Sequence, residues 1–139
     1  MDYTLYAKDL LRRRQALCGA RRSLTAELKN LEAEERLCAE GAGTRPGWRA
    51  ETGEAAAERA RDCRLRLCIV ERELEMIARG MEPLDDYQRA LLERFFIDRA
   101  PGAAEALMER FYKERSSLYR DRQHALELFT RVVYGVLRL

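Results

Sequence analysis

Residues 56–77 read AAERARDCRLRLCIVERELEMI, and apolar side chains recur along this run at alternating steps of four and three residues. The members of the series are Ala56, Ala60, Cys63, Leu67, Val70, Leu74 and Ile77. Because a spacing that averages about 3.5 residues keeps side chains on one stripe of a helix, the pattern is typical of a coiled coil. It predicts a long helix from about residue 50 to residue 79 that packs on another helix.

The preceding segment, from residue 2 to about residue 40, contains no proline and repeats leucine every seven residues. The series is Leu10, Leu17, Leu24 and Leu31, with Cys38 next in register. This spacing predicts one long helix with a narrow apolar stripe. Glycines and a proline gather just after it, so we expect a loop at about residues 41–49.

Two helices with one apolar stripe each bury both stripes when the chain folds back as an antiparallel coiled-coil hairpin. Parallel association with a second copy of the chain is the alternative arrangement. Gly80 follows Arg79 and precedes Pro83, which predicts that the second helix ends with Gly80 in the C′ position. We therefore expect one domain at residues 1–80 and a second at residues 81–139.

The second domain is richer in large side chains suited to a compact core. A helix is predicted over residues 85–98, a break at Pro101 and Gly102, a short helix over residues 103–111, a tight link, and a long helix from about residue 116 to the end. The inward positions expected on the last helix are Leu118, Arg122 by its stem, Ala125, Leu128 or Phe129, Val132 and Leu137. A short helix, a turn and a long helix form the plan of a helix-turn-helix.

The predicted fold class is therefore all-α, with an N-terminal antiparallel helical hairpin and a C-terminal three-helix helix-turn-helix domain. The composition agrees, because 36% of the 139 residues are charged while glycine and proline are sparse. The 26 basic and 24 acidic residues nearly cancel, which excludes a polybasic tail. The chain is also too short for an enzyme with separate cofactor and substrate domains.

Catalytic chemistry has little basis in the sequence. The four cysteines show no CxxC pairing, the only histidine is His124, and there is no glycine-rich phosphate loop. We expect a protein that is not an enzyme and has no catalytic residue, cofactor or metal site. No run of about 18 apolar residues occurs and the first residues lack a secretory pattern, so we expect a cytoplasmic protein without a membrane partner.

Three short motifs carry a resemblance to a known family. They are Ser116-Ser117-Leu118-Tyr119-Arg120, then Ala125-Leu126, then Tyr134-Gly135. Together they resemble the signature of sigma-like phage and prophage regulators, including the ArpU-type late transcriptional activators. Residues 84–96 are similar to the opening of the sigma-70 region 4 fold, so the resemblance spans residues 84–135.

The resemblance implies a transcriptional regulator of phage or prophage type whose recognition helix starts near residue 115. The DNA-binding residues that it implies are Lys113, Arg115, Ser116, Ser117, Tyr119, Arg120 and Gln123. Arginine can bind guanine and glutamine can bind adenine through two hydrogen bonds, while hydroxyl groups reach phosphates. The expected partners are double-stranded DNA, RNA polymerase and a second copy of the chain.

The charge distribution leaves a second hypothesis open. Residues 112–139 carry six basic and three acidic side chains, whereas residues 81–111 carry four basic and seven acidic ones. This basic character is modest for a DNA-binding module, and Glu114 stands at the start of the expected recognition helix. The alternative is a non-enzymatic interaction adaptor with a degenerate helix-turn-helix, which offers its hairpin to a polymerase or phage packaging partner.

Overall fold

The computed structural model describes residues 1–40 and 48–138 of the chain. All regular secondary structure in these ranges is helical, which confirms the all-α class. The helices are α1 (Tyr3–Arg12), α2 (Arg14–Glu40), α3 (Trp48–Met81), α4 (Asp86–Leu92), α5 (Ala103–Phe111) and α6 (Arg115–Tyr134), with a π-helical segment at Glu93–Asp98 directly after α4. Residues 41–47, most of the predicted loop, lie outside the described ranges, and α3 already includes residues 48 and 49.

Polar side chains cap the N-termini of two of these helices. Asp2 caps α1, because its Oδ1 accepts a hydrogen bond of 3.0 Å from the amide of Thr4. Asp85 and Gln88 form a capping box at α4, in which each side chain accepts a bond from the backbone amide of the other residue, at 2.8 and 3.1 Å. These caps supply partners for amides that the first helical turn leaves free.

The contacts divide the chain into two compact units. One unit, called here the 17–72 unit, comprises Leu17–Arg72, and the other, called the terminal unit, comprises residues 1–16 and the residues from 73 onward. The first helix therefore packs with the C-terminal part of the chain. The predicted boundary after residue 80 divides the chain into domains that would fold separately. This division stays a prediction.

The 17–72 unit is built by packing between α2 and α3. Its core contains Leu24, Leu31, Ala60 and Cys63. The thiol of Cys63 donates to the carbonyl of Leu24 at 3.3 Å, and Glu34 pairs with Arg59 at 3.0 Å. Residue numbers thus rise along one helix as they fall along the other, so the two helices run in opposite directions in this unit.

The terminal unit has a core to which α1, α4, the π-helical segment, α5 and α6 all contribute. Its buried apolar side chains include Ala7, Leu10, Leu11, Leu84, Leu91, Leu92, Phe96, Ile97, Leu107, Leu118, Ala125, Leu126 and Phe129. The helix α1 packs on α6 and on the π-helical segment, and α4 packs along α6. Burial of this apolar surface is the main favourable contribution to folding of the unit.

The prediction of a single long helix over residues 2–40 is wrong, because Arg13 separates α1 from α2. The amide of Arg13 is shared between the carbonyls of Asp9 and Leu10, both at 3.2 Å. Its guanidinium pairs with Asp9 at 3.2 Å and with Glu73 at 2.8 Å. The seven-residue leucine repeat runs across this break, which is why the repeat alone gave no sign of it.

Gly80 does not occupy the predicted C′ position, because α3 continues to Met81. A Cβ atom at Gly80 would lie 2.5 Å from two ring carbons of Phe129 and 2.6 Å from Cγ2 of Val133. Glycine is therefore needed for the close approach of α6 to α3. Arg89 donates to the carbonyl of Met81, the last residue of α3, at 2.9 Å, and to that of Glu82 just after the helix at 2.8 Å.

The inward positions predicted on α6 are correct for its first three turns and wrong near its end. Leu118, Ala125 and Phe129 are fully buried, but Val132 is 48% exposed and Leu137 is 91% exposed. The helix ends at Tyr134, and Gly135 adopts a left-handed conformation with φ 66°. Leu137 thus lies beyond the helix, where the helical period no longer applies.

Candidate nucleic-acid interface

The orientation of α6 is set by a small core that it shares with α4 and α5. Leu91, Leu107 and Leu118, one from each helix, are at most 2% exposed. Ala90 and Ala104 complete the buried part of this cluster. Around it pack partly buried side chains, namely Tyr87, Phe95, Met108, Phe111 and Tyr119. The first half of α6 is therefore held on one face and open on the other.

A three-residue link of Tyr112, Lys113 and Glu114 connects α5 to α6. Tyr112 ends α5 in the left-handed region, with φ 55° and ψ 48°. The amide of Lys113 then donates to the carbonyl of Met108 at 3.1 Å, which closes the last turn of α5. Glu114 is extended and precedes α6 without a side-chain cap. The link is short enough to fix the relative direction of the two helices.

A hydrogen bond between α4 and α6 fixes the rotation of α6 about its own axis. The hydroxyl of Tyr87 donates to Oδ2 of Asp121 at 2.8 Å. Burial raises the pKa of Tyr87, and the bond to the Asp121 carboxylate raises it further. Because Asp121 is occupied in this way, its negative charge is directed toward α4.

Arg122 is a packing residue in this arrangement. The centre of its guanidinium lies 4.8 Å from the ring centres of both Phe95 and Tyr119, and 5.8 Å from that of Phe96. Such cation–π contacts favour a guanidinium stacked on aromatic rings. This agrees with the inward position predicted for Arg122.

Three of the predicted DNA-binding residues form an exposed stripe on α6, called here the reading stripe. They are Ser116, Arg120 and Gln123, which lie four and three residues apart and so share one helical face. Gln123 also lines a surface cavity of about 520 Å³ together with residues 1–4, and its amide lies 3.5 Å from the carboxylate of Glu127. Ser116 and Arg120 are thus the more open members of the stripe.

Arg115 and Lys113 lie at the N-terminal end of α6, and both are exposed. Arg115 donates a hydrogen bond of 2.7 Å to Oε1 of Glu105, which lowers the pKa of Glu105 and raises that of Arg115. The ammonium of Lys113 lies 5.3 Å from the ring centre of Tyr87. Because an exposed ion pair contributes little stability, Arg115 can leave Glu105 for a better anionic partner.

The structure places the two remaining predicted residues partly inward. Ser117 and Tyr119 are half-buried, and the Tyr119 ring packs 5.8 Å from that of Phe95. Sequence analysis also missed Arg94 and Arg99, which line a cavity with Arg115. Both belong to the segment with excess acidic residues, so a count of charge by segment concealed them. Helical spacing gives no indication that they lie near Arg115, because Arg99 and Gly102 are left-handed and interrupt the helical path between Arg94 and α5.

In residues 1–40 and 48–138, no three histidine, cysteine or acidic side chains are grouped to hold a metal ion. The described helices include none that is both long enough and apolar enough to cross a membrane. No family model matches the chain, and no curated protein and no solved structure shows significant similarity to it.

Proposed function

We propose that this chain is a DNA-binding transcriptional regulator of phage or prophage type that reads double-stranded DNA through the first half of α6. The observation that carries the proposal is the exposed reading stripe on a helix held by the shared core of α4, α5 and α6. In this proposal the three helices form a helix-turn-helix domain that follows an antiparallel hairpin. The hairpin would mediate dimerisation or contact RNA polymerase.

The dimensions of α6 suit this role. Ten residues from Arg115 to His124 make a helical segment of about 15 Å, and the major groove of B-DNA admits an α-helix. In helix-turn-helix proteins the early residues of the second helix contact base edges. Arg120 can bind the O6 and N7 atoms of guanine, and Gln123 can bind the N6 and N7 atoms of adenine. The hydroxyl of Ser116 is suited to a phosphate oxygen.

The electrostatics of this surface favour duplex binding of modest strength. The carboxylate of Asp121 is bonded to Tyr87, and that of Glu105 is bonded to Arg115. The exposed basic groups near the start of α6 are then Lys113, Arg115 and Arg120, against Glu114. A small number of phosphate contacts gives an affinity that falls with added salt, with a slope proportional to that number.

The test begins with selection of bound sequences from a random duplex pool by the full chain, followed by anisotropy titrations on the selected site. Arg120→Gln should lose roughly 5- to 150-fold in affinity and lose its preference at one base pair, since a bidentate contact discriminates by about 1–3 kcal/mol. Arg131→Gln, an exposed arginine in the last turn of α6, is the matched control and should bind as the wild type does. Absence of any enriched sequence, or equal binding by Arg120→Gln, would overturn the proposal.

A second candidate function is the interaction adaptor, and one observation favours it. The 17–72 unit exposes large apolar side chains, with Leu37 at 68%, Leu65 at 61% and Ile69 at 54%. Leu65 and Ile69 are four residues apart on one face of α3. Neighbouring exposed apolar side chains can form part of a protein interaction surface. An adaptor without DNA contact would show no binding to random duplex at low salt, whereas the regulator would show binding that weakens as salt is added.

A further inference from the structure

A cavity of about 320 Å³ beside the start of α6 is lined by three arginines from three parts of the fold. Arg94 comes from the π-helical segment, Arg99 follows that segment in a left-handed conformation, and Arg115 is the first residue of α6. The chain between them turns sharply, because Arg99 has φ 50° and Gly102 has φ 75°. This turn is what brings side chains that are 21 residues apart in sequence to one cavity.

The side chains that line this cavity carry more positive than negative charge. Glu105 is the one carboxylate among its lining residues, against the three guanidinium groups. Glu105 is bonded to Arg115, and Arg94 lies 3.6 Å from Asp98, which is not part of the lining. Arg99 forms no ion pair with the described residues of the chain. The cavity therefore retains an excess of positive charge that an anion would neutralise.

Backbone donors add to the guanidinium groups. Ala103 and Ala104, the first two residues of α5, also line the cavity, and their N-cap is Gly102, which has no side chain to bond their amides. The first amides of a helix have no partner within the helix. Guanidinium forks and backbone amides together form the donor set that binds phosphate oxygens in many proteins. A ligand with a single carboxylate group would bond to only part of these donors.

We infer that this cavity binds a phosphate group, and that its source is the DNA backbone beside the bases that α6 contacts. The source assignment rests on the proposed function, because Arg115 belongs both to this cavity and to the N-terminal end of α6. The shared chemistry, a tetrahedral phosphate held by three guanidinium groups, is also offered by a free phosphate. A phosphate of the DNA backbone and a free phosphate predict different results for the Arg99→Gln variant.

The variant is Arg99→Gln in the full chain, with Arg131→Gln as the matched control. Arg99 is not among the residues proposed to read bases, so its loss should weaken binding to selected and random duplexes equally, by roughly tenfold. The slope of log Kd against log salt should fall by about 0.9 relative to wild type, the value for one lost phosphate contact. The control should leave both quantities unchanged. Circular dichroism of each variant checks that the helices are retained.

The second arm adds inorganic phosphate alone to the protein. Its binding is monitored through the amide signals of Ala103 and Ala104 in nuclear magnetic resonance spectra. Phosphate should shift these signals in the wild type and not in Arg99→Gln. If phosphate shifts them but Arg99→Gln leaves the DNA salt slope unchanged, the assignment to the DNA backbone is overturned in favour of a free phosphate ligand. If neither arm responds while the wild type still binds DNA, the phosphate site is overturned and the proposed function stands. If the wild type binds no DNA, the proposed function fails and the phosphate arm alone decides the site.

Discussion

The hydroxyl of Tyr87 in α4 donates a hydrogen bond of 2.8 Å to the carboxylate of Asp121 in α6, across 34 residues of sequence. Asp121 lies on the same side of α6 as Leu118, which is fully buried in the core that the two helices share with α5. The bond and the buried leucine fix which face of α6 points outward. Arg120, the residue before Asp121, lies on the exposed side of α6.

Replacement of Tyr87 by phenylalanine should destabilise the protein by about 1–3 kcal/mol, because it leaves the half-buried carboxylate of Asp121 without its donor. Urea unfolding followed by circular dichroism measures the change. Tyr112→Phe is the matched control, since Tyr112 is 94% exposed, and it should change stability by less than about 0.5 kcal/mol. Equal unfolding midpoints for the two variants would show that the Tyr87 bond has no stabilising effect.

Tyr87 should also make stability depend on pH in the alkaline range, because its burial, and then its bond to Asp121, raise the pKa of its hydroxyl. The folded state raises the pKa of Tyr87 above that of an unfolded tyrosine, which is about 10. Above that pH the unfolded chain releases the phenolic proton while the folded chain keeps it, so the free energy of unfolding falls as pH rises. Tyr87→Phe lacks this contribution. The stability difference between wild type and Tyr87→Phe should therefore shrink between pH 9 and pH 11. A constant difference would show that folding does not raise the pKa of Tyr87.

Gly80→Ala should destabilise the protein by about 1–3 kcal/mol, because the new methyl group would lie 2.5 Å from ring carbons of Phe129. Gly19→Ala is the control, and its effect on stability should have the opposite sign. A Cβ atom at Gly19 meets nothing within 4 Å, and alanine in a helix interior is favoured over glycine by about 0.5–1 kcal/mol. Thermal unfolding should show a lower midpoint for the first variant and an equal or higher one for the second. A stabilising effect of Gly80→Ala would mean that α6 does not approach α3 so closely.

Removal of the Arg115 guanidinium should raise the pKa of Glu105 toward its ordinary value. The hydrogen bond from Arg115 is the main cause of the lowered pKa of Glu105 in the wild type. Any stabilisation from this pair is present above the ordinary pKa of glutamate and is lost as pH falls through the lowered one. A carboxyl-carbon titration of Glu105 in wild type and Arg115→Gln measures the shift. Arg120→Gln should leave the Glu105 titration unchanged, and an unchanged pKa in Arg115→Gln would show that the pair does not form in solution.

Periodic patterns in the sequence predicted much of the fold correctly. The leucines of the seven-residue repeat are all buried, and α5 has the predicted bounds. These features are local, since they depend on helical periodicity and on breakers such as Pro101. The π-helical segment was not predicted, because a local change of helical repeat leaves no trace in a count of apolar residues.

Features decided by distant contacts were beyond the sequence. The role of Gly80 depends on Phe129, which is 49 positions later, and a glycine near a helix end is equally compatible with a cap. At the candidate site, the family resemblance implied Ser116 and Arg120, and both are exposed on one face of α6. Helical spacing gave no indication that Tyr119 packs on Phe95, or that Arg94 and Arg99 lie beside Arg115, because these contacts join separate elements.

A map of amide signals tests most directly whether DNA contacts the first half of α6. A selected duplex would be titrated into the isotope-labelled full chain at low salt. The proposal predicts shifts at residues 113–123 and at Ala103 and Ala104, with the signals of residues 53–72 unchanged. Shifts confined to residues 17–72, or no shift at any duplex concentration, would contradict it.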